Sequence, residues 1–272
     1  MPINYVAVID ATKCVDCRCC VVSCKDEFAV NDYPPYSAGM PFKGQKWIHV
    51  ENIERGTYPK VKFESYPVFC MQCDNAPCIA AATGGAVYKR SDGIVIVDPV
   101  KAKGQKQIVN ACPYGVISWN DDAQIPQKCT LCVHRLEQGE TPRCMLACPG
   151  KAITIAPYPQ LQKTIEENKA AAFHPEYKTQ NRVLYIGLPK TFITGALVDG
   201  SGKCFKGATV TATDTAAKTV VGSTTSDPFG DFWIDGLDAN KSYDVTISAA
   251  GKTKTVSVSL NKDTNLGDIQ LA

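Results

Sequence analysis

Cys14-Val15-Asp16-Cys17-Arg18-Cys19-Cys20-Val21-Val22-Ser23-Cys24 is the stretch from which the rest of the chain is read. With Cys19 set aside, its cysteines follow the order C-x2-C-x2-C-x3-C. Three closely spaced thiolates of this kind wrap three irons of one cubane, while the fourth, a helical turn further on, points toward a neighbouring cluster. Such a run needs a distant complement. Cys129-x2-Cys132-x11-Cys144-x3-Cys148-Pro149 supplies it and closes on the Cys-Pro step of bacterial ferredoxin runs. Exchange of the outlying cysteines gives one set of Cys14, Cys17, Cys20 and Cys148, and a second of Cys24, Cys129, Cys132 and Cys144.

Between these runs stand Cys70-x2-Cys73-x4-Cys78 and a lone Cys112-Pro113. If they are the remnant of a second ferredoxin-type pair, the first run's spacing puts the absent cysteines at Ala82, Ala102, Gln105 and Ile108. All four belong to one site. The surviving set, Cys70, Cys73, Cys78 and Cys112, is therefore complete. Of the 14 cysteines, all but Cys19 and Cys204, that is 14 − 2 = 12, form three sets of four. Three 4Fe-4S clusters are expected, with a 3Fe-4S form at one site as a variant. Structural zinc is the competing reading of C-x2-C pairs. It does not require the tight series 14, 17, 20, 24, whose fourth member would be surplus in an isolated site. A disulfide framework fits an oxidising compartment, and nothing at the start of the chain points there.

The other features of the sequence narrow the function by exclusion. With 44% hydrophobic and 21% charged residues, the 272-residue chain has the composition of a folded protein. Lysine and arginine number 29 against 27 acidic residues, and a net charge of +2 provides no basic field to gather nucleic acid. No apolar run approaches the roughly 20 residues that span a bilayer. The opening MPINYVAVIDATKC shows neither a basic n-region nor an export-type h-region. A cytoplasmic location is expected. There is no G-x-G-x-x-G, Walker A or G-x-S-x-G motif, so no organic substrate site is read and no catalytic residue is named. Cys19 and Cys204 are expected to be small packing thiols. His49, His134 and His174 read as structural, and Trp47 and Trp119 as core or interface anchors.

The pattern predicts an α+β fold: a tandem ferredoxin-like iron–sulfur domain with its connector over residues 1–190, then an all-β antiparallel sandwich over 191–272. Tyr5 to Asp10 and Gly93 to Asp98 read as strands, and helices should follow the Cys-x3-Cys steps. Residues 25–69 form a long insertion carrying NDYPPYSAGMPFKG, read as an irregular loop. After Cys148, AITIAPYP, the polar helical stretch QLQKTIEENKAAA and HPEYKTQNRVLYIGLPK should pack over the cluster domain. From Thr191, six or seven short alternating segments are separated by DGSG, DPFG and DG turns.

VIDATKCVDCRCC, CMQCDNAPC, DGIVIVD, CPYG and KCTLCVHRLEQGETPRCMLACPGKAI together resemble the iron–sulfur β-subunits of the dimethyl sulfoxide reductase family of molybdopterin enzymes, over about residues 1–190. GALVDGSGKCFKGATV looks like a carboxypeptidase-regulatory or transthyretin-like sandwich. The resemblance implies an electron-transfer subunit in a heterodimer. Its large partner would carry the active site and a molybdenum bis(pterin guanine dinucleotide). Family members with the full pattern hold four clusters, and Ala82, Ala102, Gln105 and Ile108 depart from it. Service to a respiratory reductase of a sulfur, arsenic or nitrogen oxyanion, or a free-standing polyferredoxin, are the alternatives.

Overall fold

Val6, Ala7, Val8 and Ile9 form an unbroken apolar run, and a strand covered on both faces calls for such a run rather than for alternation. The computed structural model, which describes residues 4–249 and 251–271, places them in β1 (Tyr5–Asp10), with all four buried. After it come α1 (Cys19–Phe28), β2 (Ile48–Thr57), β3 (Lys60–Phe69), α2 (Pro77–Ala81), β4 (Val87–Lys89), β5 (Val95–Val97) and α3 (Gln107–Asn110). Then follow β6 (Ser118–Asn120), β7 (Ile125–Gln127), α4 (Val133–Leu136), α5 (Arg143–Leu146), β8 (Ile153–Pro157), α6 (Tyr158–Glu167), β9 (Ala171–Ala172) and β10 (Val183–Ile186).

The chain divides into two compact units, Met1–Asn52 with Ser65–Leu188, and Ile53–Glu64 with Pro189–Ala272. In the first, β1 lies inside a four-stranded sheet ordered β8-β1-β10-β9, antiparallel to β8 and parallel to β10. The connector after Cys148 thus supplies three of the four strands. Helix α6 covers this sheet by setting Leu161 against Val6 and Val8. The cysteine-bearing segments lie on short helices and on the loops beside two small hairpins, β4–β5 and β6–β7. Among the described residues no helix is long and apolar enough to cross a membrane.

The insertion differs from its expectation. Only its first half is irregular: β2 and β3, ten residues each, pair as a ribbon. Their alternation is weak because several outward positions are also half-buried, and the Pro/Gly/aromatic stretch before them dominates the composition. At the tip, Gly56 has φ 97°, and a Cβ there would stand 2.2 Å from the Lys60 carbonyl oxygen, so the turn requires glycine.

The second unit takes that tip, Ile53–Glu64, as part of its body. Arg55 pairs with Glu64 at 2.6 Å and with Asp263 at 2.8 Å, and Lys62 Nζ lies 4.9 Å from the centre of the Trp233 ring. The remainder is β11 (Thr191–Val198), β12 (Thr209–Asp214), β13 (Val220–Thr225), β14 (Asp231–Leu237), β15 (Lys241–Ala249), β16 (Lys252–Leu260) and β17 (Thr264–Gln270). They form two sheets, β14-β11-β17 and β13-β12-β15-β16. Alternate inward residues make the core, among them Val210 and Ala212 on β12 facing Phe232 and Ile234 on β14. Strand β17, whose Asn, Gly and Asp weaken its pattern, completes the second half of the range expected. Turns are held by aspartates: Asp199, Asp214 and Asp227 each accept two backbone N–H bonds within four residues of themselves.

Candidate metal centres

Each cysteine run is bent by residues in the left-handed region. Asp16 and Arg18 flank Cys17 with φ of 52° and 56°, Gln72 has 50° between Cys70 and Cys73, and Leu131 and Cys132 both have 52°. A side chain in that region costs about 1 kcal/mol or more. The return is that successive amides turn inward and form a concavity for anionic sulfur. Leu131 N–H donates to Cys129 Sγ at 3.3 Å, and Ala152 N–H donates to Cys148 Sγ at 3.2 Å.

The thiols gather in three groups. Cys20, on the first turn of α1, is pushed up to about 12 by burial and then by Cys14, Cys148 and Cys17 beside it. Cys24, one turn further along α1, is raised well above the ordinary thiol range by burial and then by Cys129, Cys132 and Cys144. Burial, followed by Cys70, Cys78 and Cys112, pushes Cys73 up to about 12, although a hydrogen bond from the Thr179 hydroxyl opposes this. The groups adjoin in succession, with Cys20 beside Cys24 across the first two sets and Cys70 beside Cys129 across the second and third.

Buried thiols crowded in this way stay protonated unless a cation compensates them. Binding an iron core displaces those protons and neutralises the mutual repulsion. The third group surrounds a small cavity of about 20 Å³, with Cys70, Cys73, Cys78 and Cys112 in its wall and Met71, Val95, Val116 and Ile117 beside them. Among the described residues no three His, Cys, Asp or Glu side chains converge tightly enough for a single ion. Zinc would need its sulfurs about 2.3 Å from one centre. Thiols gathered in fours, with N–H donors aimed at sulfur in the first two groups, fit polynuclear clusters.

Two polar networks surround these groups. At the second, Glu27 on α1 meets His134 Nε2 at 2.9 Å, Arg135 at 3.5 Å and Arg143 at 3.0 Å, tying together the helices that carry Cys24 and Cys144 and the one that follows Cys132. Between the second and third lies Lys128, with an exposure of only 2%. Burial works against its charge, but Cys70, Cys78 and Cys129 outweigh that and hold the ammonium above its ordinary range. The sequence offers no periodic signal for either network. A lysine directly before a cysteine run looks like any surface lysine.

The positions of the absent fourth set are brought together and filled. Ala102 and Ile108 are fully buried. Gln105 accepts from Thr83 N–H at 2.9 Å and donates to the carbonyls of Thr83 at 3.2 Å and Lys101 at 2.9 Å. Ala82 ends α2, immediately before Thr83. Cys19 is half-buried, with its thiol against Cys17 and near Cys148, whereas Cys204 is exposed and is not a packing thiol. Trp47 is buried, His49 pairs with Glu51, and His174 pairs with Glu176.

Residues 61–157 match the 4Fe-4S dicluster domain, and residues 192–272 match the carboxypeptidase regulatory-like domain. The pyrogallol hydroxytransferase small subunit of Pelobacter acidigallici is 40% identical over 98% of this chain and 99% of its own length. The arsenate respiratory reductase iron-sulfur subunit ArrB of Shewanella sp. (strain ANA-3) is 31% identical over 66% of this chain and 94% of its own. A subunit of the tetrathionate reductase of Salmonella typhimurium is 33% identical, covering 70% of this chain and 75% of its own.

Proposed function

Since the chain belongs to the family of iron–sulfur subunits that includes the pyrogallol hydroxytransferase small subunit, we propose that it is the electron-transfer subunit of a molybdopterin transhydroxylase converting pyrogallol to phloroglucinol. The co-substrate would be 1,2,3,5-tetrahydroxybenzene. One observation carries the choice of reaction: the match to the transhydroxylase subunit spans the β-sandwich as well, whereas the matches to the respiratory reductase subunits leave about a third of this chain unaligned.

In this reading Cys14, Cys17, Cys20 and Cys148 ligate one 4Fe-4S cluster, Cys24, Cys129, Cys132 and Cys144 a second, and Cys70, Cys73, Cys78 and Cys112 a third. The domains are residues 1–190 and 191–272. Bound clusters would supply one-electron redox sites in series. The chain's own residues bury most thiols of the second and third sets, aim amides at sulfurs of the first and second, and hold the sets side by side. The catalytic centre, a molybdenum bis(pterin guanine dinucleotide), resides in a large partner subunit, and the complex is cytoplasmic. Pyrogallol and phloroglucinol are isomers and the co-substrate is regenerated, so turnover consumes no net electrons.

Metal analysis of the anaerobically isolated complex tests this. Three cubanes require about 12 irons per chain, accompanied by one molybdenum, together with pyrogallol-dependent formation of phloroglucinol. Iron without molybdenum points to a free-standing carrier. Zinc in place of iron, or reduction of arsenate or tetrathionate instead of transhydroxylation, refutes the proposal.

A further inference from the structure

Lys128 lies between β7 and Cys129, with partners on both sides of a boundary between two thiol groups. Its Nζ donates to the Val95 carbonyl and, at 3.3 Å, to the Cys129 carbonyl. The Cys70 thiol is within hydrogen-bonding reach, and Cys78 is a close charge neighbour. Gln72, with an exposure of 1%, closes the arrangement: its Nε2 donates to the same Cys129 carbonyl at 3.1 Å, and its Oε1 accepts from Val95 N–H at 2.8 Å. The two side chains thus share both polar groups of Val95 and the carbonyl of one ligand of the second set. They do so from inside or beside the C-x2-C turns of both sets.

A buried ammonium is costly to desolvate unless negative charge compensates it, and here its partners are carbonyls and cysteine sulfurs. We infer that Lys128 is an electrostatic coupler: one fixed positive charge, locked in place by Gln72, that raises the reduction potentials of the second and third clusters together and leaves the first unaffected. The inference rests on the three-cluster reading. A unit charge within about 10 Å of a cluster centre, at an effective dielectric of about 20, changes each one-electron equilibrium by roughly tenfold or more.

The test is a redox titration of the whole complex followed by electron paramagnetic resonance, with iron counted in every preparation. Lys128→Met should keep about 12 irons while two of the three cluster signals become about tenfold harder to reduce, or about 59 mV lower for a one-electron couple. Lys128→Arg should retain the wild-type potentials. If Lys128→Met loses iron, Gln72→Glu decides, because it adds a negative charge at the same place with little change of volume and should lower the same two signals. Unchanged potentials, a shift of one signal alone, or equal shifts in all three overturn the coupler. A wild-type complex with fewer than three clusters overturns the reading beneath it instead.

Discussion

Replacing Gln105 by Leu tests whether the position of the absent fourth set is held closed by an amide. The substitution keeps the side-chain volume and removes three hydrogen bonds, at 2.9, 3.2 and 2.9 Å, to the backbone of Thr83 and Lys101. Each contributes about 0.5–1.5 kcal/mol net. Gln105 is half-buried and Thr83 exposed, so the freed backbone groups regain water and the loss falls toward the lower end, about 1–2 kcal/mol in total. That is a factor of roughly 5–30 in a local opening equilibrium. Hydrogen exchange measured by mass spectrometry on the loaded complex should show it as faster exchange in peptides spanning residues 80–110. Peptides elsewhere should be unchanged, and iron should stay at about 12 per chain. Exchange within twofold of wild type over residues 80–110 would refute the clamp. Loss of about four irons would show instead that Gln105 supports a cluster.

Other perturbations bear on the ligand sets and on the sandwich. Cys73→Ser should cost one cluster and Cys19→Ser none, read as iron per chain; equal losses in the two variants would break the sets. The quadruple variant Ala82→Cys, Ala102→Cys, Gln105→Cys, Ile108→Cys should raise iron from about 12 toward about 16 on anaerobic reconstitution, and no gain beside three intact clusters would show that the register is wrong. In the sandwich, N–H bonds from Ala217 and Ala216 hold the Asp214 carboxyl below its ordinary value. A lowered folded value means that its stabilisation is complete above about pH 4, where the unfolded carboxylate is also ionised, and is lost as pH falls through the folded value. Protection over residues 209–225, taken relative to the intrinsic exchange rate at each pH, should therefore fall in acid for the wild type but change less with pH in Asp214→Ala; parallel profiles would show that the turn does not depend on that carboxylate.

The legible parts of the chain are those where one residue type has one geometric use. Cysteine spacing translates into neighbouring thiols because two intervening residues can only turn and three can only climb a helix; Cys20 and Cys24 accordingly lie a turn apart on α1. In β12, Val210 and Ala212 point inward while Thr211 and Thr213 do not, and the alternation alone sets the register. The ribbon β2–β3 was not legible. Half-buried positions blur the period of two in β2, and in β3 Ser65 to Phe69 are buried in an unbroken row, so neither strand alternates over its whole length. Lys128 and Glu27 were invisible for another reason. A buried charge is marked by its partners, and those come from segments far away in sequence: Val95 for Lys128, and Arg135 and Arg143 for Glu27.

A cluster site cannot be given up one ligand at a time. Removing a single cysteine leaves three buried thiols with their repulsion and desolvation uncompensated, and removing the cluster leaves a hole whose walls have lost their contacts. The replacements meet both demands. Ala102 and Ile108 close the space with apolar volume at full burial. Gln105 takes over the linking role by bonding to backbone on both sides, at Thr83 and Lys101. The amide plug lies next to the third set along the chain, since Ala82 caps the helix α2 that carries Cys78, and Ile108 lies on α3, which ends just before Cys112.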